Sequence, residues 1–269
     1  MQSFLVALAF LTIIPIRFRE MPGEAAVARS RLWYPVVGLL LGGLLAGWTY
    51  VVGRFGPPAV AAFLVLAAWV LVTGALHLDG FCDLCDGLFG GQTPEDRLRI
   101  MKEPTRGSFA LVGCVLLLLG KYAAIAHLMA VKWANLAPVM IAVAAAQARC
   151  LVFCVAAGTT YPRKEGTGRV IVQAARMWEA LAGAVLAGVI TLAAWSVATW
   201  EVIPRADLAE ALWGGTLFTC LFLVPALFAV VVLRVMCERR LGGVTGDCLG
   251  AAIELAEVVF LLGAAFVIA

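Results

Sequence analysis

Seven long hydrophobic runs, separated by shorter polar segments, dominate the chain. They cover approximately residues 34–53, 58–78, 108–131, 135–157, 178–200, 211–233 and 248–269. A helix needs about 20 apolar residues to cross the hydrocarbon core of a bilayer, and each run has that length. The pattern therefore predicts an all-α, polytopic integral membrane helix bundle with about seven transmembrane helices.

A shorter apolar stretch, Phe4–Ile16, precedes the first long run and contains Pro15 near its end. It has neither the basic start nor the small-residue exit of a cleavable signal peptide, so we assign it to the folded protein. Its length predicts a short N-terminal apolar helix, half-inserted or interfacial, with a marginal eighth span as the alternative. We expect a single integral membrane domain over residues 1–269.

Basic residues are distributed unevenly between the two sides that alternating spans would create. Fifteen of the twenty Lys and Arg residues fall in four segments that share one side, namely residues 17–33, 79–107, 158–177 and 234–247. Positively charged loops stay in the cytoplasm. We therefore expect a bacterial cytoplasmic (inner) membrane protein whose polar segments, including the candidate active site, face the cytoplasm.

Composition narrows the functional classes further. The chain is 63% hydrophobic and 14% charged, whereas soluble domains average about a quarter charged residues. The eight cysteines mostly lie in apolar runs, where they act as small buried side chains rather than as a disulfide framework. We expect the lipid bilayer as a partner and no nucleic acid. Whether the chain forms a homo-oligomer stays open.

The segment "GALHLDGFCDLCDGLFGG" places three aspartates at the end of the second run. Asp79, Asp83 and Asp86 are spaced i, i+4 and i+7, so a helix would carry them on one face. Three anions at the C-terminal end of a span repel one another and oppose the helix dipole. A divalent cation would offset this cost, and carboxylates suit Mg²⁺ or Mn²⁺. The alternative is a solvated cap on the span.

A second acidic cluster lies in "GGVTGDCLGAAIELAE", on the same predicted side. Asp247 and Glu254 are two helical turns apart, and Glu257 follows within the last run. Ionisable groups inside a membrane are functional candidates by default. We therefore predict one site, with metal ligands from both clusters: Asp79, Asp83, Asp86, Asp247 and Glu254. In the alternative interpretation, the two glutamates pair with the basic residues of the spans only to hold the bundle together.

Other polar residues complete the predicted site. His77, Asp83 and Asp86 are candidate catalytic residues, because a carboxylate or imidazole can accept a proton. An idle interfacial histidine is the alternative for His77, and a zinc site with Cys82 and Cys85 is disfavoured because aspartates interrupt the pattern. Basic side chains could bind phosphates or only enforce topology; the candidates for substrate binding are Lys121, Arg149, Arg163, Lys164 and Arg106.

The motifs HLDG-x2-D-x2-DG and TGD-x6-E, with "RLRIMKEPTRGSFALVG" between them and "FLTIIPI" near the start, closely resemble the cobalamin synthase family (adenosylcobinamide-GDP ribazoletransferases). The resemblance runs through the whole chain. It implies that adenosylcobinamide-GDP and α-ribazole, or α-ribazole 5'-phosphate, are joined with Mg²⁺ to give adenosylcobalamin, or its phosphate, and GMP.

The resemblance also carries site residues over to this chain. The family usually has a basic residue at two intramembrane positions, and this chain has Lys121 and Arg149 there. The family motifs also match six further residues: His77, Asp79, Asp83, Asp86, Asp247 and Glu254. One departure concerns the segment after the acidic loop. The family commonly has Met-(Lys/Arg)-Asp-Ser-Arg-x-Gly, and this chain has "MKEPTRG", in which Thr105 takes the usual place of the arginine and Arg106 is displaced by one position.

Two rival functions remain. Another membrane phosphotransferase or prenyltransferase would also use aspartates on helix faces, although the second motif has no counterpart known to us there. An ion-coupled transporter would use the intramembrane charges as a polar path. It would predict an inverted repeat and charges reachable from both sides, whereas the acidic residues crowd one side.

Overall fold

The computed structural model describes residues 1–131, 136–166, 168–199 and 208–268, and these residues form helices and loops without β-strands. Twelve α-helices and one 3-10 turn follow one another along the described chain: α1 Gln2–Leu11, α2 Glu24–Ser30, the turn Arg31–Trp33, α3 Tyr34–Val52, α4 Pro58–Val72, α5 Leu76–Gly90, α6 Pro94–Ile100, α7 Ser108–Ala130, α8 Ala137–Ala156, α9 Arg169–Ala174, α10 Met177–Thr199, α11 Leu208–Leu241 and α12 Gly246–Val267.

Six helical segments of the described chain are long and apolar enough to cross a membrane, and a bent pair, α4 with α5, brings the number to seven. The six segments contain α3, α7, α8, α10, α11 and α12. The predicted all-α polytopic membrane bundle is therefore confirmed. Residues 135, 200 and 269, at the ends of three predicted spans, lie outside the described residues.

The second span differs from the sequence prediction. The apolar run 58–78 does not form one helix, because α4 ends at Val72 and α5 starts at Leu76 after a bend of 87°. Gly74 and Ala75 make the bend with φ angles of +61° and +55°. Glycine adopts this left-handed conformation readily, whereas alanine pays for it with steric strain. The three aspartates therefore lie on a separate helix rather than at the end of a span.

Helix α8 forms the centre of the bundle and is buried along most of its length. Its small side chains let neighbouring helices approach closely. A Cβ atom at Gly42 of α3 would lie 2.5 Å from the carbonyl oxygen of Ala142, and one at Gly183 of α10 would lie 2.4 Å from that of Cys150. The outer helices α7, α10 and α11 instead expose large apolar side chains, as a lipid-facing surface requires.

The four basic segments lie together at one end of the bundle. Arg97 donates to the carbonyl of Arg240 over 3.1 Å, and Arg163 pairs with Asp247 over 2.9 Å. Arg169 lies 3.8 Å from Glu24 and so joins the first segment to the third. This is the arrangement that alternating spans predict.

Helix α1 has ten residues and rises about 15 Å, which is too short to cross a bilayer. It packs against the start of α3. The ring of Phe10 stacks on that of Tyr34, with centroids 6.3 Å apart, and Leu11 is fully buried. The N-terminal stretch is thus a short apolar helix, as predicted, and it forms part of the bundle core.

Candidate active site

Helices α5 and α12 cross at two glycines. A Cβ atom at Gly80 would lie 3.0 Å from the Cα atom of Asp247, and one at Gly250 would lie 3.1 Å from the Cα atom of His77. Each glycine therefore allows the opposite backbone to approach more closely than other residues would permit. The two acidic motifs, separated by more than 160 residues in sequence, meet at this crossing.

The crossing opens into a pocket. The polar side chains among its lining residues are those of His77 and Asp79 of α5, Asp247 of α12 and Tyr34 of α3, and the remaining lining is mainly apolar. His77 is 2% exposed, and neither ring nitrogen has a hydrogen-bond partner within the described part of the chain. Two predicted metal ligands and one predicted catalytic residue are thus brought together.

Asp79 and Asp83 share one cationic partner. The guanidinium group of Arg106 contacts both carboxylates. Asp79 lies in the first turn of α5, where the helix dipole favours negative charge, so the dipole penalty expected at the end of a span does not arise for this residue. The aspartates of one face therefore converge closely enough for a single positive group to contact two of them.

Asp86 has a different environment. One carboxylate oxygen accepts a hydrogen bond from the amide of Gly107 (2.6 Å) and the other accepts one from that of Ala110 (2.8 Å). These amides belong to the first turn of α7 and would otherwise lack partners. The side chain is 6% exposed. Asp86 thus caps α7, and its predicted roles in metal binding and catalysis remain predictions.

Asp247 lies in the first turn of α12, whose N-cap is Thr245. Arg163 donates to its carboxylate over 2.9 Å. Burial raises the pKa of the neighbouring Tyr161 phenol, and the positive charge of Arg163 opposes that shift. Lys164, the next predicted phosphate ligand, is exposed, and its carbonyl accepts a hydrogen bond from Arg169.

Four charged side chains form a buried network between α7, α8 and α12. Lys121 contacts Glu254 over 2.5 Å and also contacts Glu257, which in turn contacts Arg149. The Lys121 ammonium also lies 5.1 Å from the ring centroid of Trp69. Two positive and two negative charges thus offset one another where unpaired ions would be costly.

This network bears on three sequence predictions. Glu254 was expected as a metal ligand, and the structure pairs it with Lys121. Lys121 and Arg149 were expected to bind substrate, and both contact glutamates of α12. The charge pairing that the alternative interpretation expects is therefore present. Any function of these residues beyond that pairing remains a prediction.

Comparison with known proteins identifies the family. The chain matches the family described as Cobalamin-5-phosphate synthase over residues 3–265. It belongs to this family.

Similar proteins are found along the full length of the chain. Adenosylcobinamide-GDP ribazoletransferase of Pseudomonas entomophila (strain L48) is 36% identical and covers 100% of both chains. Proteins of the same name from Chlorobium phaeobacteroides (strain BS1) and Pseudomonas syringae pv. syringae (strain B728a) are 34% and 38% identical. They cover 99% and 97% of this chain and 98% of their own lengths. No solved structure matches the chain.

The site of this family member offers oxygen donors to a metal ion. Among the described residues, no three or more His, Cys, Asp or Glu side chains are arranged as a complete metal-binding group, and Cys82 and Cys85 are free thiols. Mg²⁺, however, is typically held by one or two carboxylates together with substrate phosphates and water. The carboxylates of Asp79, Asp83 and Asp247 fit that incomplete, oxygen-only donor set.

Sequence reasoning missed the apolar lining of the pocket. Phe10 and Leu11 come from α1, Tyr34 from α3, and Val152 from α8. These residues lie in uniformly apolar segments, where a pocket wall, a packed core and a lipid-facing surface have the same sequence pattern. No signal in the sequence separates these three cases.

Proposed function

We propose that the chain is a membrane-bound adenosylcobinamide-GDP ribazoletransferase. It transfers the phosphocobinamide moiety of adenosylcobinamide-GDP to α-ribazole or α-ribazole 5'-phosphate, and it releases GMP and adenosylcobalamin or adenosylcobalamin 5'-phosphate. Family membership over residues 3–265 and full-length relatives of that name support this proposal. The observation that carries it in the structure is the shared pocket of Asp79 and Asp247.

The proposed cofactor is Mg²⁺, with Mn²⁺ as the alternative. Asp79 and Asp83 are the first two ligands, because one cationic group already contacts both of them. Asp247 is the third, from the facing helix. When bound, the ion would polarise the phosphorus under attack and neutralise charge on the departing GMP.

Two arginines are the proposed ligands for the diphosphate of the substrate. Arg106 and Arg163 now neutralise the same carboxylates that would hold the ion. Guanidinium groups bind phosphate oxygens in bidentate fashion, so both can exchange a carboxylate for the substrate. Lys164, exposed on the adjoining loop, adds a third positive charge.

The acceptor is the ribose hydroxyl of α-ribazole. Its oxygen attacks the phosphorus attached to cobinamide, and the bond from that phosphorus to the GMP oxygen breaks. The hydroxyl proton passes to His77, which lines the pocket, or to a carboxylate that the metal ion leaves free. The site lies at the basic end of the bundle, which supports a cytoplasmic active site in the bacterial inner membrane.

The test is turnover by the purified protein in detergent. Adenosylcobinamide-GDP and α-ribazole, incubated with the protein and Mg²⁺, should give GMP, measured by chromatography. Excess chelator should abolish its release, and added Mg²⁺ should restore it. Absence of GMP with every divalent metal would contradict the assigned reaction, whereas full activity in chelator would contradict only the metal.

A further inference from the structure

The pocket beside the carboxylates has walls suited to a flat apolar ring. Leu11, Val152, Leu249 and Ile253 contribute aliphatic surface from three helices. Phe10 and Tyr34, which also line the pocket, stack with an angle of 12° between their rings. Aromatic and aliphatic walls of this kind are typical of sites that enclose an apolar ligand.

Two polar groups among the lining residues, the His77 imidazole and the Tyr34 hydroxyl, are buried and lack a hydrogen-bond partner in the part of the chain that the structure describes. Both ring nitrogens of His77 are unpaired. Buried polar groups are nearly always hydrogen-bonded, so an unpaired one that lines a pocket indicates a missing partner. A ligand with a hydrogen-bond acceptor at the right position would supply it.

The two substrates differ in what they could place there. Adenosylcobinamide-GDP has a charged diphosphate, a guanine with several donors and acceptors, and a large corrin ring bordered by amides. The base of α-ribazole is 5,6-dimethylbenzimidazole, a flat apolar bicycle with two methyl groups and a single unsubstituted ring nitrogen that acts as an acceptor. Of these groups, only this base combines a flat apolar surface with a single acceptor, which suits apolar walls with few polar groups, since burying unpaired polar groups is costly.

We propose that this pocket is the subsite for the base of α-ribazole, with the ring nitrogen accepting a hydrogen bond from His77. This inference rests on the proposed function. It places the ribose at the carboxylate end of the pocket, next to Asp79 and Asp247. Because His77 is then occupied by the base, a carboxylate that the metal ion leaves free accepts the hydroxyl proton.

The first experiment narrows the pocket. Val152→Phe should raise the KM for α-ribazole at least tenfold and leave the KM for adenosylcobinamide-GDP within twofold. Val185→Phe, the same change at a lipid-facing position of α10, is the matched control and should alter neither value. An unchanged KM for α-ribazole, or a rise confined to adenosylcobinamide-GDP, would overturn the proposal.

Val152→Ala covers the case in which the larger side chain prevents folding. The added space should weaken discrimination between the ribosides of 5,6-dimethylbenzimidazole and of unsubstituted benzimidazole by about fivefold. Unaltered discrimination in this variant would place the base elsewhere.

The contact with His77 has its own test. A 5,6-dimethylindole riboside, which has a carbon in place of the accepting nitrogen, should be used about tenfold less efficiently (kcat/KM) than α-ribazole by the wild-type protein. His77→Ala should make the two ribosides nearly equal. If His77 acted only as the base in catalysis, the variant would lower kcat equally for both ribosides, and the assigned contact would be wrong.

The outcomes separate the inference from the function on which it rests. If the wild-type protein released no GMP, the proposed function itself would fail. If it released GMP and the Val152 and His77 variants left riboside selectivity unchanged, only the subsite would fail.

Discussion

At the scale of single residues, the three aspartates of α5 have unequal environments despite their shared helical face. Asp79 and Asp83 contact the side chain of an arginine, whereas Asp86 accepts hydrogen bonds from two backbone amides. A side-chain partner can be exchanged for a ligand at low cost, but backbone amides of a helix terminus cannot. The first two aspartates are therefore better placed for chemistry than the third.

Asp83→Asn tests this difference from the catalytic side. The amide keeps the shape of the side chain but removes a negative charge, so we expect GMP release to fall at least a hundredfold while the melting temperature in detergent stays within about 2 °C. Asp96→Asn, on the exposed surface of α6, is the control and should retain full activity. Substantial activity in Asp83→Asn would argue against a charged ligand at this position.

Asp86→Ala tests the cap. Loss of the acceptor leaves the amides of Gly107 and Ala110 unpaired, and removal of a helix cap costs about 0.5–2 kcal/mol. We expect a lower melting temperature for Asp86→Ala. Asp86→Asn keeps one acceptor oxygen and should recover part of the lost stability. Thr93→Ala removes the exposed cap of α6 and should lower the melting temperature less than Asp86→Ala does. Loss of activity in Asp86→Asn at an unchanged melting temperature would instead support a direct catalytic role.

At the scale of elements, the crossing of α5 and α12 controls the site. Gly80→Val places side-chain atoms against the backbone of Asp247, where a Cβ atom alone would already lie at 3.0 Å. We expect the helices to separate and kcat to fall at least tenfold. Gly43→Val, in α3, meets open space and should leave kcat unchanged. Normal turnover by Gly80→Val would show that close contact of the two helices is dispensable.

How much of these elements the sequence predicts depends on the kind of signal. Run length located the spans, and the i, i+4, i+7 spacing placed the aspartates on one face. The bend between α4 and α5 was missed, because Gly74 and Ala75 lie inside an unbroken apolar run and the left-handed alanine has no pattern of its own. The cap formed by Asp86 was also missed, since its partner amides belong to a different helix.

Convergence of the two acidic motifs was predictable for a different reason. Alternating spans with a consistent charge bias place residues 79–107 and 234–247 on the same side, and the structure brings Asp79 and Asp247 into one pocket. The pocket wall was not predictable. An apolar residue such as Val152 has the same sequence signature whether it faces a ligand, another helix or lipid.

At the scale of the whole molecule, the buried charge network holds three helices together. Glu257→Gln leaves Arg149 and Lys121 with excess positive charge in the apolar interior, and breaking one partner of such a network costs about 3–5 kcal/mol. We expect a markedly lower yield of folded protein and a lower melting temperature. Glu257→Gln with Arg149→Gln restores neutrality and should recover stability. Equal instability of the single and double variants would contradict a charge-balance role.

The orientation of the bundle can be tested by fusion proteins. If the basic end is cytoplasmic, α12 leads outward, and alkaline phosphatase fused after Ile268 should be active while green fluorescent protein there stays dark. Fusion after Gly243, before α12, should give the opposite result. Reversed signals would place the candidate site on the outer side of the membrane.

The brevity of α4 has a consequence for how the molecule meets its surroundings. Its 15 residues rise about 22 Å, less than the roughly 30 Å thickness of a hydrocarbon core. If α4 starts at the outer leaflet, the chain turns sideways before it reaches the inner headgroups, and the chemistry occurs in a depression surrounded by acyl chains. Water-soluble nucleotides must then descend below the lipid surface to react, so bilayer thickness becomes a determinant of access.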